Sequence, residues 1–253
     1  MSFDFGNIFN MDNNKEGDRI AKVIARAGIC SRRAAENLIL NGKVQIDGVV
    51  IDTPAIKVTK ANKIIVDGKP LPRLDATRLW IFHKPRGCLT TNSDPKGRQT
   101  IFDVMPKSMP RSVTIGRLDY NSEGLLLLTN DGGLARHMEL PSSWWIRRYR
   151  ARAYGSVDMN AIEQIRNGAL IGEVQYEPAE VEIEKTGVGD NMWIRVAVKE
   201  GKNREVRRLL AFAGLEVNRL IRTEYGPFKL GAIPREAVAE VAAADFKKKL
   251  DWK

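Results

Sequence analysis

Four consecutive leucines at 125–128 constrain this chain more than any other feature. They stand between a charged loop, GRLDYNSEG at 116–124, and a turn signal at Asp131-Gly132-Gly133. A short apolar run bounded by turn residues predicts a strand buried on both faces, at the centre of a sheet. Such a strand is a rigid support, and the loop that feeds it can hold a side chain at a fixed place in a site. Asp119 is the only carboxylate in the first half of that loop, two residues after Arg117. Spacing alone leaves two readings open: a reacting group, or a turn aspartate bonded to its own backbone.

Composition narrows the class. A chain of 253 residues suits one large or two ordinary domains, and a 43% apolar share is that of a globular protein. No apolar run approaches the roughly 20 residues of a membrane span. Residues 1–17 are rich in Asn, Asp and Gly, lack the features of a signal peptide, and predict a mobile tail. Cys30 and Cys88 have no metal-ligand spacing and read as free thiols of a reducing cytoplasm. With only two histidines a His-rich metal centre is not expected. The net charge of +10 favours a polyanion, nucleic acid before an anionic membrane surface. No basic amphipathic helix is long enough to support the membrane alternative.

Along the chain, residues 18–41 predict two short helices. Ile20, Val23 and Ile24 form the apolar face of the first, which Gly28 ends; Ser31 caps the second, whose inward face is Ala34, Ala35, Leu38 and Ile39. Asp47-Gly48 and Asp67-Gly68 predict small β-hairpins. PRLDATR at 72–78 reads as a linker. Beyond it come a buried strand at 79–82, a basic turn at 83–87, and Gly97 between Lys96 and Arg98, which suits backbone approach to a phosphate. A helix opens at Leu134 and is ended by Pro141. From Ile146 a strand alternates, with Arg148, Arg150 and Arg152 on one side and Arg147, Tyr149, Ala151 and Ala153 on the other. Tyr149 reads either as core or as a site residue. An amphipathic helix at 158–168 presents Met159, Ile162 and Ile165, and strands follow at 179–184 and 193–198 around a loop at 187–191. Asn203 is the expected cap of a helix at 204–212 whose basic residues make a phosphate-sized patch. A short strand at 220–222 follows, and 234–253 reads as a helical, solvated cap.

Residues 18–71 resemble the RNA-binding module named after ribosomal protein S-four, through RIAKVIARAGICSRR (19–33) and NGKVQIDG (41–48). The resemblance implies that Lys22, Arg26, Arg32, Arg33 and Lys43 contact RNA phosphates.

HKPRG (83–87), GRLD with GLLLLTNDG (116–132), and EGKNREVRRL with RLIR (200–222) resemble, in that order, the RsuA-like branch of the pseudouridine synthases that modify ribosomal RNA. The implied fold class is α+β: a helix-pair RNA-binding module, then a catalytic domain at 79–253 with a mixed, mainly antiparallel sheet flanked by helices. The implied reaction turns uridine into pseudouridine with no cofactor and no metal. Asp119 would be the catalytic carboxylate, Arg207 its cationic partner, and Tyr149 the residue that stacks on the target base and moves a proton. Arg117 would fill the gap left by the flipped uridine. Lys84, Arg86, Arg148, Arg150, Lys202, Arg204 and Arg208 would bind RNA. A dry carboxylate stays ionised only if a fixed cation offsets its desolvation. The expected partner is ribosomal RNA or an assembling subunit, large-subunit before small-subunit RNA, met by a cytoplasmic monomer. The alternative from another class is a non-catalytic assembly factor on the same fold. Glu123 departs from the pattern: a charge at a loop position where a small or neutral residue is expected, with substrate preference as its implied effect.

Overall fold

The computed structural model describes residues 17–140, 143–184 and 191–252, so the tail at 1–16, the stop at Pro141 and the loop at 187–190 lie outside the described residues. The chain is α+β and divides into two compact units between Ala76 and Thr77.

The first unit begins with Asp18–Arg19 (β1), Ile20–Arg26 (α1) and Arg32–Leu40 (α2). The Ser31 hydroxyl caps α2 by accepting from the Ala34 N–H at 3.1 Å. The strands Val44–Ile46 (β2), Val49–Ile51 (β3), Lys57–Val58 (β4), Ile64–Val66 (β5) and Lys69–Pro70 (β6) follow. Both Asp-Gly turns have positive φ at both residues, as tight two-residue hairpins require. Ile20, Ile24, Ala35, Ile39 and Val44 form a dry core between helices and sheet.

The second unit is built on a sheet that holds nine strands among the described residues. In chain order come Leu79–Lys84 (β7), the short helix Ile101–Val104 (α3), Val113–Ile115 (β8), Ser122–Thr129 (β9), Gly132–Glu139 (α4) and Arg147–Tyr154 (β10). Next are Met159–Asn167 (α5), a small ribbon of Leu170–Ile171 (β11) and Val174–Gln175 (β12), then Glu180–Glu184 (β13), Asn191–Val198 (β14) and Glu205–Phe212 (α6). Glu216–Tyr225 (β15), Phe228–Lys229 (β16), Val238–Val241 (β17) and Ala243–Leu250 (α7) complete it. The order across the sheet is β13-β14-β10-β15-β9-β7-β17, and all these pairs are antiparallel except β15 with β9. Among the described residues no helix is long and apolar enough to cross a membrane.

The leucine run is the central strand that the sequence predicts. Leu125 and Leu127 enter the core shared with α4 and α7, and Leu126 and Leu128 enter the opposite core beside Trp80, Phe82 and Ile101. All four are fully buried. A third core gathers Ala151, Ala153 and Val196 under Ile162, Leu209 and Leu210 of α5 and α6.

Several expectations are corrected. Asp131 does not end the leucine strand in a simple turn; its carboxylate accepts from the Gly133 N–H at 2.8 Å and caps α4. Met159 is exposed, because Ala161, Ile162 and Ile165 are the inward face of α5. The strand at 220–222 is the middle of ten-residue β15. The C-terminal segment is not a solvated cap: β17 pairs with β7, and Phe246 and Leu250 of α7 are buried in the leucine core. Glu123 lies in β9, not in a loop. It is 2% exposed and held by Arg219 and Arg235, the latter at 3.3 Å.

Gly124 is where the parallel pair closes. Its φ is +108°, and a Cβ there would stand 2.3 Å from the Arg222 carbonyl oxygen and 2.8 Å from its nitrogen. Both contacts are to backbone, so no side chain can yield. Gly124→Ala is expected to lower stability by about 3 kcal/mol or more, read as a lower urea midpoint at unchanged slope; a midpoint within error of wild type would show that β9 and β15 can separate cheaply.

Candidate active site

Register places four residues of four strands in one row: Tyr149 beside Arg222, Arg222 beside Gly124, and Gly124 beside Lys84. A β-bulge lies next to Tyr149, where the β10–β15 register shifts, which re-aims side chains at this point. The loop bearing Asp119 sits at the end of that row, between β8 and β9.

Three cations from three elements grip the carbonyls of this loop. Lys84 Nζ donates to the carbonyls of Asp119 at 3.2 Å, Ser122 at 3.0 Å and Pro85 at 3.0 Å. Arg207 donates to Asn121 O at 3.1 Å and to Val217 O at 2.7 Å. Arg222 donates to Leu125 O at 2.7 Å and, at a longer 3.4 Å, to Arg117 O. Carbonyls 117, 119 and 121 are thereby each held by a different side chain. The Gly116 N–H donates to the Glu139 carboxylate at 2.6 Å, and the Ser122 N–H to Asp119 O at 3.0 Å. Asp119 is thus the turn residue of the plainer reading through its carbonyl, while its half-buried side chain makes no ion pair within 4.0 Å among the described residues.

Asp119 and Tyr149 line one cavity of about 860 Å³, together with Arg117, Arg147, Trp144 and Arg222. Its far wall is the turn at 200–205. Arg204 adopts a left-handed backbone, φ +52°, and it rather than Asn203 is the residue before α6. Burial first, then the Arg204 charge, pulls the Arg207 guanidinium below its usual value, and the Asp119 carboxylate opposes that shift. The two charges therefore sense each other, but the expected direct pairing is replaced by Arg207's bonds to the carbonyls of Asn121 in the loop and Val217 in β15. An arginine so placed remains a cation at neutral pH.

Of the expected RNA contacts, Arg86, Arg117, Arg204 and Arg208 are exposed and make no ion pair among the described residues. Others are corrected. Lys84 is wholly buried as the last residue of β7, and burial pulls its ammonium below the usual lysine value. Arg148 is held by Glu180 at 2.6 Å and Glu224 at 3.5 Å, and Arg150 by Glu184 at 2.8 Å. Strand alternation puts both opposite Arg147 and Tyr149. Lys202 donates to Glu200 and to Gln175 O, each at 2.6 Å. The turn around Gly97 is closed by its own acid: Asp94 accepts from the Lys96 and Arg98 N–H groups and pairs with Arg98 at 2.8 Å, which holds its carboxyl down to about 2. In the first unit Arg32 and Arg33 are exposed, Lys22 pairs with Asp18 at 2.5 Å, Lys43 reaches Asp67 at 3.5 Å, and Arg26 donates to Asp75 O at 2.8 Å. His83 donates from Nδ1–H to Ile233 O at 2.7 Å, a structural contact.

The sequence reading missed Arg147, Glu139, Arg222 and Glu205. Arg147 donates to Lys199 O at 2.9 Å and to the Tyr225 hydroxyl at 3.1 Å, and lies over that ring. The register of the basic strand was the available signal, since Arg147 shares a side with Tyr149.

Comparison with known proteins follows the same division. The model of the RNA pseudouridylate synthase family matches residues 78–212, and that of the S4 domain residues 18–65. An uncharacterized RNA pseudouridine synthase of Rickettsia typhi is 44% identical over 230 residues, 91% of this chain and 94% of that one. The ribosomal large subunit pseudouridine synthase B of Yersinia pestis is 39% identical over 234 residues, 89% of this chain and 73% of that one. A crystal structure of a pseudouridylate synthase aligns with a TM-score of 0.64 at 23% identity, over 91% of this chain and 99% of that one, and shares the fold.

Glu205, in the cavity wall, is 5% exposed, and burial with the neighbouring Glu200 carboxylate pushes its carboxyl up to about 7. The folded protein then holds a proton that the unfolded chain releases above its ordinary value of 4.5. The stability this contributes is full below 4.5 and lost as pH rises through about 7. Glu205→Gln stays neutral throughout, so its stability relative to wild type is expected to rise by roughly 1–3 kcal/mol between acid and mildly alkaline pH. Urea unfolding at both ends of that range checks this, and a constant difference would contradict it.

Proposed function

The chain belongs to the RNA pseudouridylate synthase family, and on that premise we propose that it isomerises uridine to pseudouridine in ribosomal RNA, large-subunit RNA before small-subunit RNA. The large-subunit preference is supported by its likeness to the ribosomal large subunit pseudouridine synthase B. Enzyme and substrate would meet in the cytoplasm, the enzyme as a monomer, with the S4-type unit adding RNA affinity through exposed Arg32 and Arg33.

The observation that supports the mechanism is that Asp119 and Tyr149 line one cavity, with Asp119 on a loop held by Lys84, Arg207 and Arg222. A reacting carboxylate must stand at a defined place when the substrate arrives, since positioning is a large part of the barrier an enzyme removes. The uridine is flipped out of its stack, because its reacting atoms are out of reach within it. Arg117, exposed at the cavity rim, fills the space the base leaves. Asp119 attacks the anomeric carbon of the ribose or the sixth ring carbon of the uracil, the bond from ribose to ring nitrogen breaks, the base freed from that bond turns against the Tyr149 ring, and the bond to Asp119 breaks again before product leaves, which returns the carboxylate. A ring carbon then bonds to the same ribose carbon, that ring carbon loses its proton, and the freed nitrogen gains one. Nothing is oxidised or reduced, so the reaction consumes no co-reactant. In this reading Tyr149, which lines the cavity, moves the proton.

Asp119→Asn keeps the size and removes the charge. Pseudouridine formation on a large-subunit ribosomal RNA transcript is expected to fall below detection, with RNA affinity within about threefold of wild type because none of the phosphate contacts is touched. Product formed at the wild-type rate would refute the role of Asp119. Wild-type protein that binds the transcript but makes no product on large- or small-subunit RNA would instead favour an assembly factor.

A further inference from the structure

Trp144 stands apart from the other tryptophans. Trp80 lies under Arg78, Trp193 under Arg150 and Arg219, and Trp252 against His137. Trp145 is half-buried against Gly226, where a Cβ would stand 2.6 Å from its ring. Trp144 is 61% exposed, and among the described residues no ring or cation covers either of its faces. Its backbone is left-handed, φ +49°, a conformation that a bulky side chain adopts only where its surroundings hold it there. What holds it is the next residue: Trp145 is wedged by Gly226, its carbonyl accepts from Arg147 at 3.2 Å, and the Gly226 N–H donates to Ile146 O at 2.8 Å.

The ring so presented lines the same cavity as Asp119 and Tyr149. That cavity, about 860 Å³, is lined by Trp144, Arg147, Lys199 and Glu139 as well as by Asp119 and Tyr149. Exposed cations, Arg117 and Arg204, lie along its rim. An uncovered aromatic face beside cations is the pairing by which proteins hold single-stranded nucleic acid, the ring stacking on a base and the cations meeting phosphate. We propose that Trp144 is a stacking platform for an unpaired base neighbouring the target uridine, a second subsite of the cavity that helps select where the enzyme acts. This rests on RNA being the substrate. Among the described residues Leu140 is the one other exposed large apolar side chain that lines the cavity, and one ring with one leucine beside cations fits a base better than an apolar protein surface.

The test uses the full chain, with a twelve-nucleotide oligouridylate and a ribose-phosphate chain of equal length lacking bases. Trp144→Ala should weaken oligouridylate binding roughly 5- to 150-fold, the range for loss of one base–aromatic stack, and leave binding to the base-free chain unchanged. Trp144→Phe should recover most of the loss. Equal weakening toward both probes, or no recovery with Phe, would overturn the platform in favour of a structural role. Unchanged affinity would also overturn it and leave the ring to a protein contact. Wild-type pseudouridine formation on the large-subunit transcript, run in parallel, separates the two claims: product with an unaltered Trp144→Ala profile refutes the platform alone, and absence of product refutes the substrate assignment.

Discussion

The structure depends on a buried ammonium. Lys84 Nζ, at the end of β7, satisfies the carbonyls of Pro85, Asp119 and Ser122 in a place closed to water. Burying a cation is costly unless acceptors surround it, and here two of the three acceptors are the backbone of the loop that carries Asp119. Arg207 and Arg222 extend the grip to carbonyls 121 and 117. The row Tyr149, Arg222, Gly124, Lys84 is the sheet's contribution, and it requires a glycine where β9 and β15 touch. Fold and site are therefore one construction: the strand pairing that closes the sheet is the pairing that aims the loop.

The same sheet sorts the charge. On β10, alternate residues take opposite fates. Arg147 and Tyr149 face the cavity, while Arg148 and Arg150 are neutralised by Glu180, Glu224 and Glu184 on the other side. The charges of Arg148 and Arg150 are thus tied up in ion pairs. Arg117 and Arg204, which line the cavity with Asp119, stay exposed and make no ion pair among the described residues, as do Arg86 and Arg208.

How much of this could be read from the sequence depends on how local the cause was. The leucine run, Ser31 as a cap, and the two Asp-Gly hairpins are decided by neighbours a few residues away, and the structure has them as read. Lys84 misled because HKPRG has the composition of a basic turn, and only the distant loop shows that its ammonium is buried. Glu123 gave the same difficulty, since its partners Arg219 and Arg235 lie about a hundred residues on. The C-terminal segment looked like a solvated cap because its strand partner, β7, stands near the other end of the unit. The residue identities around Asp119 were legible; the hand-off of Arg207 from carboxylate to carbonyls was not, because it turns on the path of a backbone.

If the clamp is what makes the site, loosening it should uncouple the loop from the sheet while the sheet survives. Amide hydrogen exchange of Lys84→Met against wild type tests this, with pseudouridine formation measured on the same samples. Faster exchange is expected at the Ser122 N–H, which donates to Asp119 O, with protection retained along β9 from Leu125 onward and a fall in product formation. Unchanged protection at Ser122, or full activity with a loosened loop, would contradict the role of the clamp.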